Sequence, residues 1–154
     1  MKPKTKAADQ ILAPHNLPYQ MRLLVQLLTR RFQSVIEPYG LTPLHWGVLS
    51  CLWQEDGLAT QAIAAQLEQL GGTVTVGLDV MEKRGLVKRK QDRVDRRISR
   101  VWLTKKGAAT QQELVPLVSA YVDQVFSIFT PEECSALAGM MHRLREHVEQ
   151  MPVK

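Results

Sequence analysis

A chain of 154 residues, 45% hydrophobic and 23% charged, has an ordinary globular composition and is long enough to bury a core without disulfides or metal. Its apolar runs are broken by Arg, Gln or Asp well before the ~20 residues a membrane span needs, and Met1–Gln10 lacks the hydrophobic segment of a signal peptide. The expected location is therefore cytoplasmic, without a membrane partner, and the net charge of +5 directs attention to where its positive excess lies.

Residues 1–15 are basic and contain proline, which predicts a frayed arm, and Asn16 followed by Pro18 signals a helix start. Met21, Leu24, Val25, Leu28, Phe32, Val35 and Tyr39 then recur at three and four. Leu23, Leu27 and Ile36 widen that stripe until Pro38 and Gly40 stop it. So wide a stripe predicts burial against more than one neighbour. Thr42 caps a second helix with Pro43 at its first position, expected to bury Leu44, Val48, Leu49 and Leu52. Trp46 and Trp53 suit either core or pocket wall.

Thr60 opens a short helix with Ile63, Ala64 and Leu67 on one edge, and another begins near Thr73 after Leu70, Gly71 and Gly72. The second turns Val74, Gly77, Leu78 and Met81 inward, leaves Thr73, Thr75, Val76, Val80 and Lys83 outward, and ends at Gly85. Gly77 is expected to let these two helices approach closely.

The stretch from Glu82 to Lys106 holds eleven Lys and Arg against three acids, which accounts for the whole positive excess of the chain. Leu86–Gln91 and Ile98–Leu103 mix β-branched, aromatic and basic residues around the polar run Asp92–Arg97, the pattern of a basic hairpin. A solvated charged loop is the plainer alternative. A helix, a turn, a helix and then a basic hairpin is the order of a winged helix-turn-helix.

Beyond it, Thr104 caps a long helix with Leu114, Leu117, Val118, Tyr121, Val125 and Ile128 as its stripe and an expected bend at Pro116. Thr130, Pro131 and Glu133 form a capping box for the last helix, lined by Cys134, Leu137, Met141, Leu144 and Val148. The terminal helices offer more apolar surface than a small winged lobe can cover, and a homodimer would bury it. The expected fold is mainly α with a small β wing: a single domain over 1–154, with dimerisation helices at 16–40 and 105–150 and a winged helix-turn-helix lobe at 41–104. Cys51 and Cys134 lie far apart, form no ligand spacing, and read as buried thiols.

LTPLHWGVLSCLW, IAAQL and TVTVGLDVMEKRGLVKRKQDRVDRRISRVWLTKKG together closely resemble the MarR family of bacterial transcription regulators over roughly residues 20–145. The most specific part is Met81–Gly107, with E-K-R-G-L-V, D-x-x-D-R-R and L-T-x-K-G in register. The resemblance implies a helical dimer whose two winged lobes face double-stranded DNA. In it the helix of Thr73, Thr75, Val76 and Lys83 enters the major groove. The loop Asp92–Arg97 reaches the minor groove, with Asp95 bracing an inserted Arg97. An arginine fork is drawn to the negative potential of a narrow minor groove, and a neighbouring carboxylate can hold its rotamer. Lys88, Arg89, Arg93, Arg96 and Arg100 would neutralise phosphates. A plain surface ion pair is the bland reading of Asp95 and Arg97.

The resemblance further implies a small anionic or aromatic effector between the lobe and the dimer helices, for which Arg22, Arg31, Tyr39, His45 and Trp46 are candidates, although aromatic residues at helical spacing also suit a core. Two departures stand out. Family members commonly carry a basic residue at the position of Val76 and a serine-type cap near Leu70–Gly72, whereas this chain has valine, two glycines and an outward Asp79. Some family members sense oxidants through a cysteine in the first helix, and this first helix has none.

An enzyme is the first rival reading, but no GxGxxG, P-loop, GxSxG or HExxH is present, and His142 and His147 at i, i+5 share no metal-binding face. No cofactor is expected. The second rival is a winged-helix module for protein contacts alone.

Overall fold

Asn16 takes an extended conformation and its side chain accepts from the Tyr19 amide at 2.8 Å, which together with Pro18 starts α1 (Leu17–Ile36) where the sequence predicts. The computed structural model describes Pro14 and residues 16–152. Apart from Pro14, the expected basic arm lies outside them. A 3-10 turn, Glu37–Tyr39, carries the chain through Gly40 at φ +67° into Leu41. Arg84 holds this corner, donating to the Tyr39 carbonyl at 2.7 Å and to that of Gly40.

Thr42 then caps α2 (Pro43–Gln54) reciprocally: its hydroxyl accepts from the His45 amide at 3.3 Å, and His45 Nδ1 accepts from the Thr42 amide at 3.2 Å. Val48, Leu49 and Leu52 are buried, and Leu44 is half-buried. α3 (Thr60–Gln66) and α4 (Gly71–Lys83) follow. α3 opens at Thr60 as expected, and α4 begins two residues before Thr73; Ala59 and Leu70 supply the extended cap positions without a side-chain bond. Thr60 instead donates its hydroxyl to the Ser99 carbonyl at 3.2 Å. Val74, Leu78 and Met81 are fully buried, each contributing about 1.5–3 kcal/mol of apolar transfer. The close approach allowed by Gly77 is to α2, not α3: a methyl there would stand 2.7 Å from Leu44 Cδ2. Spacing identified the need for a small residue but not its neighbour.

Gly85, at φ +70°, ends α4, and β1 (Val87–Gln91) pairs antiparallel with β2 (Ser99–Leu103), Val87 opposite Leu103 and Gln91 opposite Ser99. A bridge from Ala59 to Arg100 and a bond from the Val101 amide to the Leu58 carbonyl at 2.8 Å fasten β2 to the segment before α3. β2 is thereby bonded along both of its edges.

Thr104 accepts from the Gly107 amide at 3.0 Å and caps α5 (Lys105–Phe126). Pro116 stands inside this helix, and the chain divides there into two units, Met1–Pro116 and Leu117–Lys154. Leu114 and Val118 are buried, whereas Leu117 is exposed and Ile128 lies beyond the helix end, also exposed. In the second unit, the reciprocal Thr130–Glu133 box opens α6 (Pro131–Glu149) as expected. Cys134 is only partly covered, in contrast to the expected buried thiol, while Cys51 is buried and its pKa is pushed up by that burial. Among the described residues, no single helix is long and apolar enough to cross a membrane, and no His, Cys, Asp and Glu cluster could hold a metal.

Candidate nucleic-acid interface

Helical phase decides what α4 offers outward. With Val74, Gly77, Leu78 and Met81 committed to the core, Thr73, Thr75, Val76, Val80 and Lys83 are exposed. Val76 is 65% exposed. The Thr75 hydroxyl donates back to the Gly71 carbonyl at 2.9 Å. A groove beside the helix start is lined by Thr60, Gly71 and Thr75 on one side and by Arg89, Arg97 and Ser99 of the hairpin on the other, so helix and wing border one recess.

The wing loop is folded by its own acids. Asp92 accepts from the amides of Val94 at 2.8 Å and Asp95 at 3.0 Å and from Arg100 Nε. The Arg100 bond, with those amides, holds the carboxyl at about 2, well below the usual range. Asp95 then grips Arg97 through Nε and Nη2, both at 3.1 Å, and accepts from its amide at 3.0 Å. The arginine holds Asp95 below the usual carboxylate range. The Arg97 side chain nevertheless remains 91% exposed, so its rotamer is restrained while the fork stays open to solvent.

The basic residues of the hairpin divide into two groups. Lys88, Arg93 and Arg96 are exposed, and no ion pair engages them among the described residues. Arg89 and Arg100 are occupied within the fold. Arg89 reaches Asp79 at 2.6 Å and Glu82 at 2.7 Å, and its amide donates to Glu82 at 2.8 Å, tying β1 to α4. That amide, then the guanidinium, lowers the Glu82 pKa. Arg100 also donates to the Gly57 carbonyl at 3.0 Å. Sequence reasoning assigned both arginines to phosphates and missed Asp79, Glu82 and Asp92 as their partners. The separations of seven, eight and ten residues acquire meaning only once the hairpin register is known.

Of the five candidate effector residues, His45 and Arg31 line different grooves. His45 is buried at the α2 cap, its pKa lowered first by burial and then by Arg84, and it lines a groove with Leu44, Thr73, Val76 and Val80. Arg31 lines a different groove with Leu27, Arg30 and Ser34. The Arg22 guanidinium stacks over Tyr19 at 4.6 Å. Trp46 packs edge-on between Phe32 and Trp53, with ring centroids 6.0 and 5.5 Å away, and Tyr39 is engaged by Arg84 through its carbonyl.

Comparisons with known proteins agree with this geometry. Residues 41–99 match the MarR family. The repressor MdtR of Bacillus subtilis (strain 168) is 26% identical over 144 residues, covering 94% of this chain and 92% of its own. The regulator MhqR of the same organism is 26% identical over 131 residues, 80% of this chain and 90% of its own. Among solved structures, the transcriptional repressor CouR bound to a 23-mer DNA duplex superposes with a TM-score of 0.78 at 28% identity, over 84% of this chain and 92% of that one. The winged helix-turn-helix formed by the residues those matches cover is similar to that of the MarR family of transcriptional regulators.

Proposed function

We propose that this protein is a cytoplasmic, homodimeric, ligand-responsive repressor that binds a pseudo-palindromic operator. The observation that carries the DNA reading is the Arg97 fork, held by Asp95 on the hairpin loop yet 91% exposed, bordering the same recess as the outward face of α4. Arg97 enters the minor groove, Thr73, Thr75, Val76 and Lys83 face the major groove, and Lys88, Arg93 and Arg96 meet phosphates. Arg89 and Arg100 act through the fold, positioning the hairpin. The DNA-bound CouR structure and the repressor MdtR support both the partner and the repressive role.

Exposed Met21, Leu24, Val25 and Leu27 on α1, and exposed Met140, Met141, Leu144 and Val148 on α6, support dimerisation, since water-exposed apolar rows of this size gain most from a second copy. An anionic or aromatic effector would release the operator. Arg22, Arg31, Tyr39, His45 and Trp46 stay separate candidate contacts because His45 and Arg31 line different grooves.

Titration of a fluorescent duplex over a salt series tests the DNA reading. Binding should weaken with a log-log slope of about 0.9 per phosphate contact. A winged-helix module for protein contacts would show no measurable duplex affinity. Light scattering on a chain lacking residues 131–154 tests the dimer: aggregate or unfolded chain is expected, and a soluble folded monomer would refute it.

A further inference from the structure

From Gly71 to Glu82, the outward face of α4 presents no side-chain N–H group. Thr73, Val76 and Val80 form an exposed stripe at spacings of three and four, and the first outward cation is Lys83 in the last turn. Asp79 and Glu82, the two acids of this stretch, are both paired with Arg89, at 2.6 and 2.7 Å, and Thr75 donates its hydroxyl to the helix backbone. Gly71 and Gly72 add no side chain at all. The bidentate reading of guanine by Arg or Lys, and of adenine by Asn or Gln, is therefore absent over these three turns. What the stripe does offer is methyl groups beside the half-buried Leu44. In the major groove, the one apolar group that an unmodified base pair displays is the C5 methyl of thymine.

Resting on the DNA-binding reading above, we propose that Val76 and Val80, with the methyl of Thr73, read the operator by packing against thymine C5 methyls. Sequence selection in the major groove is then a matter of apolar contact rather than hydrogen bonding. From Thr73 to Val80 the stripe spans about 10 Å along the helix at ~1.5 Å per residue, enough for two or three neighbouring base pairs. The wing and the free cations supply most of the affinity, and α4 supplies a preference for runs of thymine in each half-site.

The test first selects duplexes from a random pool at one fixed salt concentration. Each selected thymine is then replaced by deoxyuridine, which removes the methyl and leaves base pairing intact. At the thymines facing the stripe, affinity should fall about fourfold per methyl, the scale of burying one carbon. Val76→Ala, at a surface position that leaves the core untouched, should bind thymine and uracil duplexes within about twofold of one another at the site it faces while keeping the salt slope of the parent. Uracil duplexes bound as tightly as thymine duplexes, or discrimination persisting unchanged in both Val76→Ala and Val80→Ala, would overturn the proposal. So would selection of an invariant guanine opposite Val76. Each of these outcomes presupposes salt-dependent duplex binding. Its absence would instead defeat the DNA-binding reading itself, and this inference with it.

Discussion

Alanine in place of two helical glycines should move stability in opposite directions. Gly107 lies in the first turn of α5 where the helix docks on the base of the hairpin, and a Cβ there would stand far inside contact distance of the Leu86 carbonyl oxygen and 3.3 Å from Leu103 Cδ2. That oxygen cannot swing away, since it also accepts from the Thr104 amide at 3.1 Å. Nor can Gly107 move freely, because its own carbonyl accepts from Trp53 Nε1 at 3.2 Å and from the Thr110 hydroxyl at 2.7 Å. Overpacking of this kind costs ~1–3 kcal/mol. Two disturbed hydrogen bonds add about 1 kcal/mol each, and the helix preference of alanine returns roughly 1 kcal/mol. A net loss of about 3 kcal/mol lowers Tm by roughly 6–12 °C for a chain of this size. Gly72, in the first turn of α4, has nothing within 4 Å of the point where a Cβ would stand, so Gly72→Ala should gain about 0.5–1 kcal/mol, or roughly 1–4 °C. Thermal melts followed by circular dichroism, at one protein concentration because a dimer makes Tm concentration-dependent, decide the matter. Gly107→Ala melting within 2 °C of the parent (about half a kcal/mol) would refute the account of this junction.

Arg97→Ala should weaken operator binding about tenfold or more, with Asp95→Ala weaker and largely non-additive with it. Equal losses in Arg93→Ala or Arg96→Ala would make the wing a diffuse charge patch. The fold lowers the Asp92 pKa to about 2, so the stabilisation by its ionised form is complete above the free value of about 4 and disappears as pH falls through 2. The amide resonances of Val94 and Asp95 should accordingly titrate with a midpoint near 2, and a midpoint near 4 would contradict the loop geometry. Burial raises the Cys51 pKa, which predicts that this thiol resists a thiol-specific reagent in the native protein at neutral pH and reacts on unfolding. Fast labelling of Cys51 in the folded state would revive a redox role. Val76→Arg should raise affinity for DNA in general and create a guanine preference in each half-site, and an unchanged selected motif would show that this residue does not face the bases.

Much of the fold was legible because local chemistry decides it. Asn16, Thr42 and Thr130 cap helices where their side chains can reach free amides, and helical periodicity alone separates buried Val74, Leu78 and Met81 from exposed Thr73, Val76 and Lys83. The hairpin followed from β-branched, aromatic and basic residues mixed around a polar run, and its charge from counting. Tertiary structure decided which charges are free. Arg89 and Arg100 look like Arg93 and Arg96 in the sequence, but register brings the first two against Asp79, Glu82 and Asp92 and leaves the others in water. Gly77 shows the same division: spacing indicated a close approach, and only the packing of α4 made Leu44 the neighbour. The physical reason is range. Caps and helical phase act within four residues, whereas an ion pair or a packing partner depends on where distant segments of the chain meet.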